Sequence, residues 1–247
     1  MIEIQTQSNI ATLILDDGKV NVMDIEWCQL FSAKLAELEN DDDVQAVVLT
    51  SGQRVFSAGV DLKRVVAEPL SYVQPFIDSL ATCFRDAFKF PKPMVVAVNG
   101  HAIAGGCIVA SCGDFRFAAP RARIGLPELR LGVPIPSIAV EVVRRVASPN
   151  AFQAMLNSGA NYRGEQAVEV GLADMIVDKE NLRDKAIEHA QRMAAIPGAT
   201  FRVMKQQIRE PSLAQADHLE KEFGQKIRDV WNSPEVRAMI EDYAAKL

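Results

Sequence analysis

Two glycine-containing turns have the residue types needed to bind an anion. Residues 56–62 (FSAGVDL) end a strand in a glycine turn and open a helix. Residues 98–107 (VNGHAIAGGC) carry an apolar strand into an Asn-Gly turn and then into Gly105 and Gly106 at a second helix start. The first N–H groups of a helix have no intrahelical acceptor and can bind anions. Two N–H donors, one from each turn, could therefore converge on one oxygen.

A single glutamate follows in a setting that suits proton transfer. Residues 124–132 (IGLPELRLG) place Glu128 among apolar residues, where a carboxylate can serve as a base. The two turns and Glu128 together predict proton chemistry beside a stabilised oxyanion. Taken alone, Glu128 could instead be a surface residue that pairs with Arg130.

The composition limits which classes of protein this chain can belong to. The 247 residues are 49% apolar and 24% charged, which is typical of a globular chain of one or two domains. The net charge of −5, with scattered basic residues, argues against nucleic acid binding. No apolar run approaches the ~18 residues of a membrane span, and the N-terminus shows no signal peptide. We therefore expect a protein of the cytoplasm with no membrane partner.

The cysteines and histidines predict neither a disulfide nor a metal site. Their spacing matches no zinc or redox motif, so we expect the cysteines to be reduced core residues. For Cys107 this reading is preferred to that of a nucleophile, because no basic partner lies nearby in sequence. The residues concerned are Cys28, Cys83, Cys107, Cys112, His101, His189 and His218.

The first half of the chain alternates strands and helices. Residues 2–7 and 10–15 alternate like a β-hairpin. Asp24 is expected to cap a helix that reaches about Glu39, with Leu30, Leu35 and Leu38 on one face.

Two apolar runs farther along predict parallel strands. Residues 44–50 and 93–98 have strand length, and a helical stretch at 72–88 lies between them. Strand, helix, strand implies parallel pairing through a crossover helix. The rhythm repeats more loosely through residues 115–118, 138–146 and 172–177, which suggests repeated ββα units.

From about Asn181 the pattern is purely helical. Breaks are expected at Pro197, Pro211 and Pro234. The last helix carries an apolar stripe that needs a partner surface, either the core of its own chain or a neighbouring subunit. The stripe consists of Val236, Met239, Ile240 and Tyr243.

Four motifs carry a family resemblance: the two turns at residues 56–62 and 98–107, residues 112–119 (CGDFRFAA) and residues 124–134 (IGLPELRLGVP). With them the chain resembles the crotonase family, also called the enoyl-CoA hydratase/isomerase family. The resemblance covers essentially the whole length. It implies an α/β fold: a spiral of ββα units over residues 1–195 that binds acyl-CoA. A helical region over 196–247 would cover the pocket and form trimers or pairs of trimers. Coenzyme A would be part of the substrate, and no separate cofactor is implied.

The resemblance also implies roles for individual residues. The N–H groups of Val60 and Gly105 would form an oxyanion hole for a thioester carbonyl, and Glu128 would be the acid/base. Asp114 would have a structural role, and Asp61 is best explained as a charge that complements a helix dipole. The implied substrate or CoA contacts are Ala58, Gly59, Val60, Asp61, Leu62, Gly105 and Ile108.

One departure from the family pattern bears on the reaction. Hydratases of the family use a second glutamate, three residues beyond the oxyanion-hole glycine, and here that position is Ile108. Hydration needs one group to orient water and another to deliver a proton, whereas a single carboxylate can shuttle a proton between carbon 2 and carbon 4. Residues 104–110 also resemble the 3-enoyl-CoA to 2-enoyl-CoA isomerases. We therefore predict an isomerase of fatty acid metabolism.

Two alternatives remain open. The protein could be a hydratase or another lyase whose second acid comes from residues 71–88, which contain Asp78 and Asp86. It could also be a non-catalytic acyl-CoA-binding subunit, although such a subunit needs neither the turns nor Glu128. The terminal Ala245-Lys246-Leu247 resembles a peroxisomal address and would place the protein in the peroxisomal matrix if its source is eukaryotic.

Overall fold

Strands and helices alternate through most of the chain, and helices alone form its last part. The computed structural model describes residues 1–246. The strands are β1 (Ile2–Gln7), β2 (Ile10–Leu15), β3 (Val22–Met23), β4 (Ala46–Ser51), β5 (Gly59–Val60), β6 (Met94–Val98), β7 (Ala102–Ile103), β8 (Phe115–Ala118), β9 (Arg123–Gly125), β10 (Asn161–Arg163) and β11 (Met175–Ile176). The helices are α1 (Ile25–Asn40), α2 (Leu62–Ala67), α3 (Val73–Lys89), α4 (Gly105–Ser111), α5 (Ser137–Val146), α6 (Pro149–Ser158), α7 (Glu165–Glu169), α8 (Lys179–Ala194), α9 (Gly198–Trp231) and α10 (Pro234–Ala244). Leu70–Tyr72 and Glu128–Leu131 form short 3-10 helices.

The largest sheet has six strands in the order β1, β2, β4, β6, β8, β11. The hairpin strands β1 and β2 are antiparallel, and every later pair is parallel. Strands β4 and β6 are buried along their whole length, which explains why they read as continuous apolar runs. The hairpin, the two parallel strands and the crossover helix α3 predicted from the sequence are confirmed.

Helix α1 begins as predicted. The carboxylate of Asp24 accepts the N–H of Trp27 at 2.7 Å, which caps the first turn. The buried face includes Phe31, Leu35 and Leu38. Leu30 is 38% exposed, so its assignment to that face was wrong. Phe31, Leu35 and Leu38 are spaced by four and three residues and share one side of the helix, whereas Leu30 is rotated off it.

Two smaller sheets lie beside the turns at residues 56–62 and 98–107. Strand β3 pairs in parallel with β5. Strand β9 pairs in parallel with β7 and antiparallel with β10. Each of these strands has two or three residues, too few for an alternating pattern to identify. They join segments distant in sequence and thereby hold the two turns in place.

The C-terminal helices differ from the prediction at one proline. The breaks near Pro197 and Pro234 are confirmed. Helix α9, which has 34 residues in all, continues through Pro211 without a break. A proline inside a helix removes one hydrogen bond and costs roughly 3 kcal/mol. Tertiary contacts of the neighbouring turns offset that cost, since Leu213 and Ala216 are buried against the core.

Asp114 fastens α9 to the sheet. Its carboxylate binds Lys205 and Arg209 at 2.6 Å each and accepts the N–H of Met94 at 2.8 Å. Both cationic residues are at least 94% buried. The structural role expected for Asp114 is therefore confirmed.

The division of the chain at residues 195 and 196 stays a prediction. The C-terminal tripeptide ends with Leu247, which lies outside the described residues. Within residues 1–246, no helix combines the length and the hydropathy that crossing a bilayer requires.

Candidate active site

The first turn depends on a glycine with a positive φ. Gly59 has a φ of 89°, and a Cβ added there would stand 2.6 Å from the Cβ of Ala104. Glycine is therefore required both by its conformation and by the close approach of the second turn. Asp61 follows and caps α2, because its carboxylate accepts the N–H of Arg64 at 2.9 Å. This confirms Asp61 as a helix N-terminal charge.

The pairing of β5 orients the N–H of Val60. Asp61 donates its N–H to the carbonyl of Met23 at 2.9 Å, on the neighbouring strand β3. Successive N–H groups of an extended strand point in opposite directions. The N–H of Val60 therefore points away from β3.

The second turn is strained at the residue before its helix. Ala104 has φ 56° and ψ −125°, a conformation that alanine rarely adopts, and its N–H binds the carbonyl of Gly125 at 2.9 Å. Gly105 is the first residue of α4, so its N–H has no acceptor within the helix. A Cβ on Gly105 would stand 2.8 Å from the Sδ of Met23, so a larger residue there would require the Met23 side chain to shift.

The two turns touch each other. The backbone N of Gly105 lies 3.1 Å from where a Cβ on Gly59 would stand. A Cβ on Gly105 would in turn lie 3.6 Å from the Cα of Gly59. The N–H groups of Val60 and Gly105 therefore belong to backbone segments in direct contact, as two donors to one oxygen require.

Glu128 opens the 3-10 helix that follows β9. Its Oε2 is buried and has no hydrogen-bond partner within residues 1–246. Burial raises the pKa of Glu128 from its ordinary 4.5 to about 8. The alternative pairing with Arg130 is not formed, because Arg130 Nε donates to the carbonyl of Ser158 at 2.7 Å. A poorly solvated carboxyl of this kind is suited to general acid/base work near neutral pH.

Glu128 and both turns line one apolar cavity. Of the predicted site residues, six are in the lining: Ala58, Val60, Leu62, Gly105, Ile108 and Glu128. Gly59 and Asp61 shape the first turn without lining the cavity. Contact with the substrate or CoA stays a prediction for all eight residues. The remaining lining residues are Leu80, Phe84, Ile103, Ala104, Pro127, Leu131, Val133, Pro134, Ile135, Pro136, Trp231 and Tyr243.

Glu128 is the one carboxylate in this lining, as far as residues 1–246 are concerned. Ile108 lies one turn of α4 beyond Gly105 and is 1% exposed. Neither Asp78 nor Asp86, the suggested second acids, is in the lining. Asp78 is exposed and lies 3.5 Å from Arg228. The α3 region therefore contributes apolar walls, Leu80 and Phe84, rather than an acid.

Cys107 and His101 lie beside the site without a chemical role in it. Burial and, to a smaller extent, the charge of Glu128 raise the pKa of the Cys107 thiol to about 12, so the thiolate is not available. Cys107 is confirmed as a small buried residue. His101 is exposed, and its Nδ1 accepts the N–H of Arg123, the first residue of β9, at 3.1 Å. Within residues 1–246, no cluster of three or more His, Cys, Asp or Glu side chains could hold a metal.

Two aromatic residues that line the cavity were not among the predicted site residues. Trp231 and Tyr243 come from the ends of α9 and α10 and close the cavity from the C-terminal side. Trp231 Nε1 donates to the carbonyl of Pro134 at 2.8 Å, which holds the indole against the loop after Glu128. The amphipathic pattern of α3 points inward at Leu80 and Phe84, but no local signal links residues 231 and 243 to a site around residue 128.

The family model for enoyl-CoA hydratase/isomerase matches residues 5–243. The chain belongs to this family. A crystal structure of a probable enoyl-CoA hydratase from Mycobacterium tuberculosis H37Rv is 31% identical, with a TM-score of 0.83, over 90% of this chain and 96% of that one. The agreement confirms the α/β fold with a C-terminal helical region, and this chain is an enzyme of the family.

Curated relatives of the family carry different activities in their names. Mitochondrial enoyl-CoA delta isomerase 1 of Mus musculus is 28% identical over 90% of this chain and 77% of its own length. The fatty acid oxidation complex subunit alpha of Idiomarina loihiensis is 32% identical over 72% of this chain. This chain spans only 25% of that subunit's length.

Proposed function

We propose that this enzyme converts 3-enoyl-CoA to 2-enoyl-CoA. The observation that carries the proposal is the single carboxyl in the lining, Glu128, buried beside the two turns that present Val60 and Gly105. A reaction that needs one proton carrier and one oxyanion site fits this inventory.

The reaction would proceed in two proton transfers. The Glu128 carboxylate removes a proton from carbon 2, and the electrons pass to the thioester oxygen as a dienolate. The N–H groups of Val60 and Gly105 stabilise that oxygen, with a benefit that is largest when it becomes an anion. The protonated Glu128 then delivers the same proton to carbon 4, which leaves the double bond between carbons 2 and 3.

The surroundings of Glu128 favour this step. A pKa of about 8 makes its carboxylate a stronger base than an exposed glutamate, at the cost of a smaller ionised fraction at neutral pH. Within residues 1–246, Ile108 and the apolar walls leave no second carboxylate in the lining to orient a water molecule against carbon 3. A dry pocket therefore supports proton shuttling over hydration.

Hydration of 2-enoyl-CoA is the second candidate, because the M. tuberculosis structure similar to this chain is called a probable hydratase. Incubation with 3-enoyl, 2-enoyl and 3-hydroxyacyl thioesters separates the two. An isomerase interconverts the two enoyl species without gain of water. Hydroxyacyl product at a comparable rate would replace the proposal with the hydratase, and no product from any thioester would favour a binding subunit.

We also propose that the chain assembles as a homotrimer or a pair of trimers. The apolar stripe of α10 supports an additional contact: Val236 and Ile240 are buried within the chain, but Met239 and Tyr243 remain 38% and 43% exposed. Sedimentation equilibrium would measure the mass directly, and a monomer across micromolar concentrations would exclude this assembly.

A further inference from the structure

A second cavity of about 390 Å³ lies between α9, α5 and β8 and shares no lining residue with the Glu128 cavity. Its wall combines apolar residues, among them Phe201 and Met204, with an unusual concentration of positive charge. The cationic side chains in the lining are Arg116, Arg145, Lys205 and Arg209.

The positive charge of this cavity exceeds the negative charge around it. Of the described residues, Asp114 is the one carboxylate in the lining, and it is shared by Lys205 and Arg209. Arg116 pairs with Asp174 at 2.9 Å, outside the lining. Four cations therefore face two carboxylates, which leaves an excess of two positive charges. Asp114 offers one negative charge to two buried cations, and Arg145 adds a more exposed positive charge, so the arrangement favours an added anion.

Two of the arginines retain free donors. Arg116 is 7% exposed, lines the cavity, and its Nε has no hydrogen-bond partner within residues 1–246. Arg145 lines the same cavity from α5, and across the same residues its guanidinium makes neither an ion pair nor a side-chain hydrogen bond. Arg116, Arg145 and Arg209 line the same cavity. The pKa of Arg145 is lowered mainly by burial and also by Arg209 and Arg116, against the opposing effect of Asp114.

The other two cations are held rigidly. Lys205 donates to Asp114 and to the carbonyl of Lys92 at 2.9 Å. Arg209 donates to Asp114 and to the carbonyls of Phe88 and Cys112. Their positions are thus set by the contacts that fasten α9 to the sheet, and they require no rearrangement when an anion enters. Preorganised donors lose little entropy on binding.

We infer that this cavity is a binding site for a small dianionic oxyanion, such as a phosphate group. A dianion matches the excess of two positive charges, and its oxygens suit the fork of N–H donors on arginine. The apolar rim leaves room for a short carbon substituent on the anion. Free phosphate and a small dicarboxylate share this chemistry, and a direct comparison distinguishes them.

Calorimetric titration of the full chain with inorganic phosphate, sulfate or succinate, each against sodium chloride at equal ionic strength, tests the inference. We expect saturable binding in the parent. Arg145→Ala removes an exposed side chain with no protein partner, so the fold should survive and affinity should fall about tenfold or more. Arg144→Ala is the control for charge, because it removes the same charge at the next residue, whose guanidinium lies over Phe152 and pairs with Glu141 at 3.3 Å, outside the cavity lining.

Each possible result either supports or overturns the proposed anion site. Tighter binding of phosphate or of succinate identifies the anion class and supports the site. Absence of saturable binding of any dianion by the parent overturns it, as does an Arg145→Ala variant that binds like the parent. Crystals soaked in selenate, located by anomalous scattering, give an independent reading: an anion elsewhere, or an acidic side chain of a second copy in this cavity, also overturns it. None of these results depends on turnover at Glu128.

Discussion

A Cβ placed on Gly59 would stand 2.6 Å from the Cβ of Ala104, so the two backbone turns of the candidate site interlock at these residues. Gly59 precedes Val60 and Ala104 precedes Gly105, the two proposed oxyanion donors. Any side chain at residue 59 must therefore push the donors apart. We therefore expect the distance between these two backbones to affect the proposed oxyanion site.

Gly59→Ala should lower turnover of 3-enoyl thioester by about 10²–10³-fold, the usual cost of losing one oxyanion donor. The control is Gly18→Ala. Gly18 has a similar φ of 83° and nothing within 4 Å of an added Cβ, so it carries the conformational penalty alone. Steady-state kinetics and melting temperature of both variants separate the two effects. Equal losses of activity in the two would show that strain, rather than donor geometry, is responsible.

Glu128→Gln should lower turnover by about 10²–10⁴-fold, because the variant keeps the size of the side chain and removes the base. Thioester affinity, measured by calorimetry, should change little. Glu141→Gln, which alters a buried glutamate outside the cavity, should leave turnover near the parental value. Retention of parental isomerisation by Glu128→Gln would contradict the assignment.

The rate should depend on pH through Glu128. Because burial raises its pKa to about 8, kcat/KM should rise roughly tenfold per pH unit below that value and level off above it. A profile that levels off near pH 5 would mean that the carboxyl is well solvated in the free enzyme.

The stability of the fold should fall over the pH range in which the rate rises. A carboxyl whose folded-state pKa is raised from 4.5 to about 8 stabilises the fold below pH 4.5 and loses that contribution as pH rises to 8. Glu128→Gln has no such group. The melting temperature of the variant minus that of the parent should therefore increase from pH 5 to pH 8. A constant difference across that range would exclude ionisation of Glu128 in a buried site.

Ile108→Glu tests whether one missing carboxylate decides the reaction. If it does, the variant should hydrate 2-enoyl thioester faster than the parent, with a stability cost from the buried charge. Ile108→Gln has nearly the same size without the charge and should show no such gain. Folded Ile108→Glu that binds thioester and forms no more hydroxyacyl product than Ile108→Gln would mean that other pocket residues determine the outcome.

Asp114→Ala should destabilise the protein by about 3–5 kcal/mol, since it leaves Lys205 and Arg209 as uncompensated buried charges. Chemical denaturation measures the change. Exposed Asp217, which pairs with Arg85 across the surface, offers a control, and Asp217→Ala should cost less than about 1 kcal/mol. Similar losses in the two variants would show that Asp114 does not fasten α9.

Local patterns in the sequence determined much of this protein. The hairpin, the Asp24 cap and the buried strands β4 and β6 depend on neighbouring residues and on periodicity, and all were predictable. The two glycine turns and Glu128 were also singled out from local patterns, and residues of all three line one cavity. The chemistry assigned to them stays a prediction.

Tertiary structure alone decided the features that depend on contacts distant in sequence. Pro211 remains inside α9 because the turns around it pack on the core, and the local cost of a proline cannot reveal that packing. Trp231 and Tyr243 reach the cavity of Glu128 only because α9 and α10 fold back over it. The second cavity likewise brings Arg116, Arg145 and Arg209 together from three elements. Such clusters depend on packing between whole elements, which periodicity along the chain does not encode.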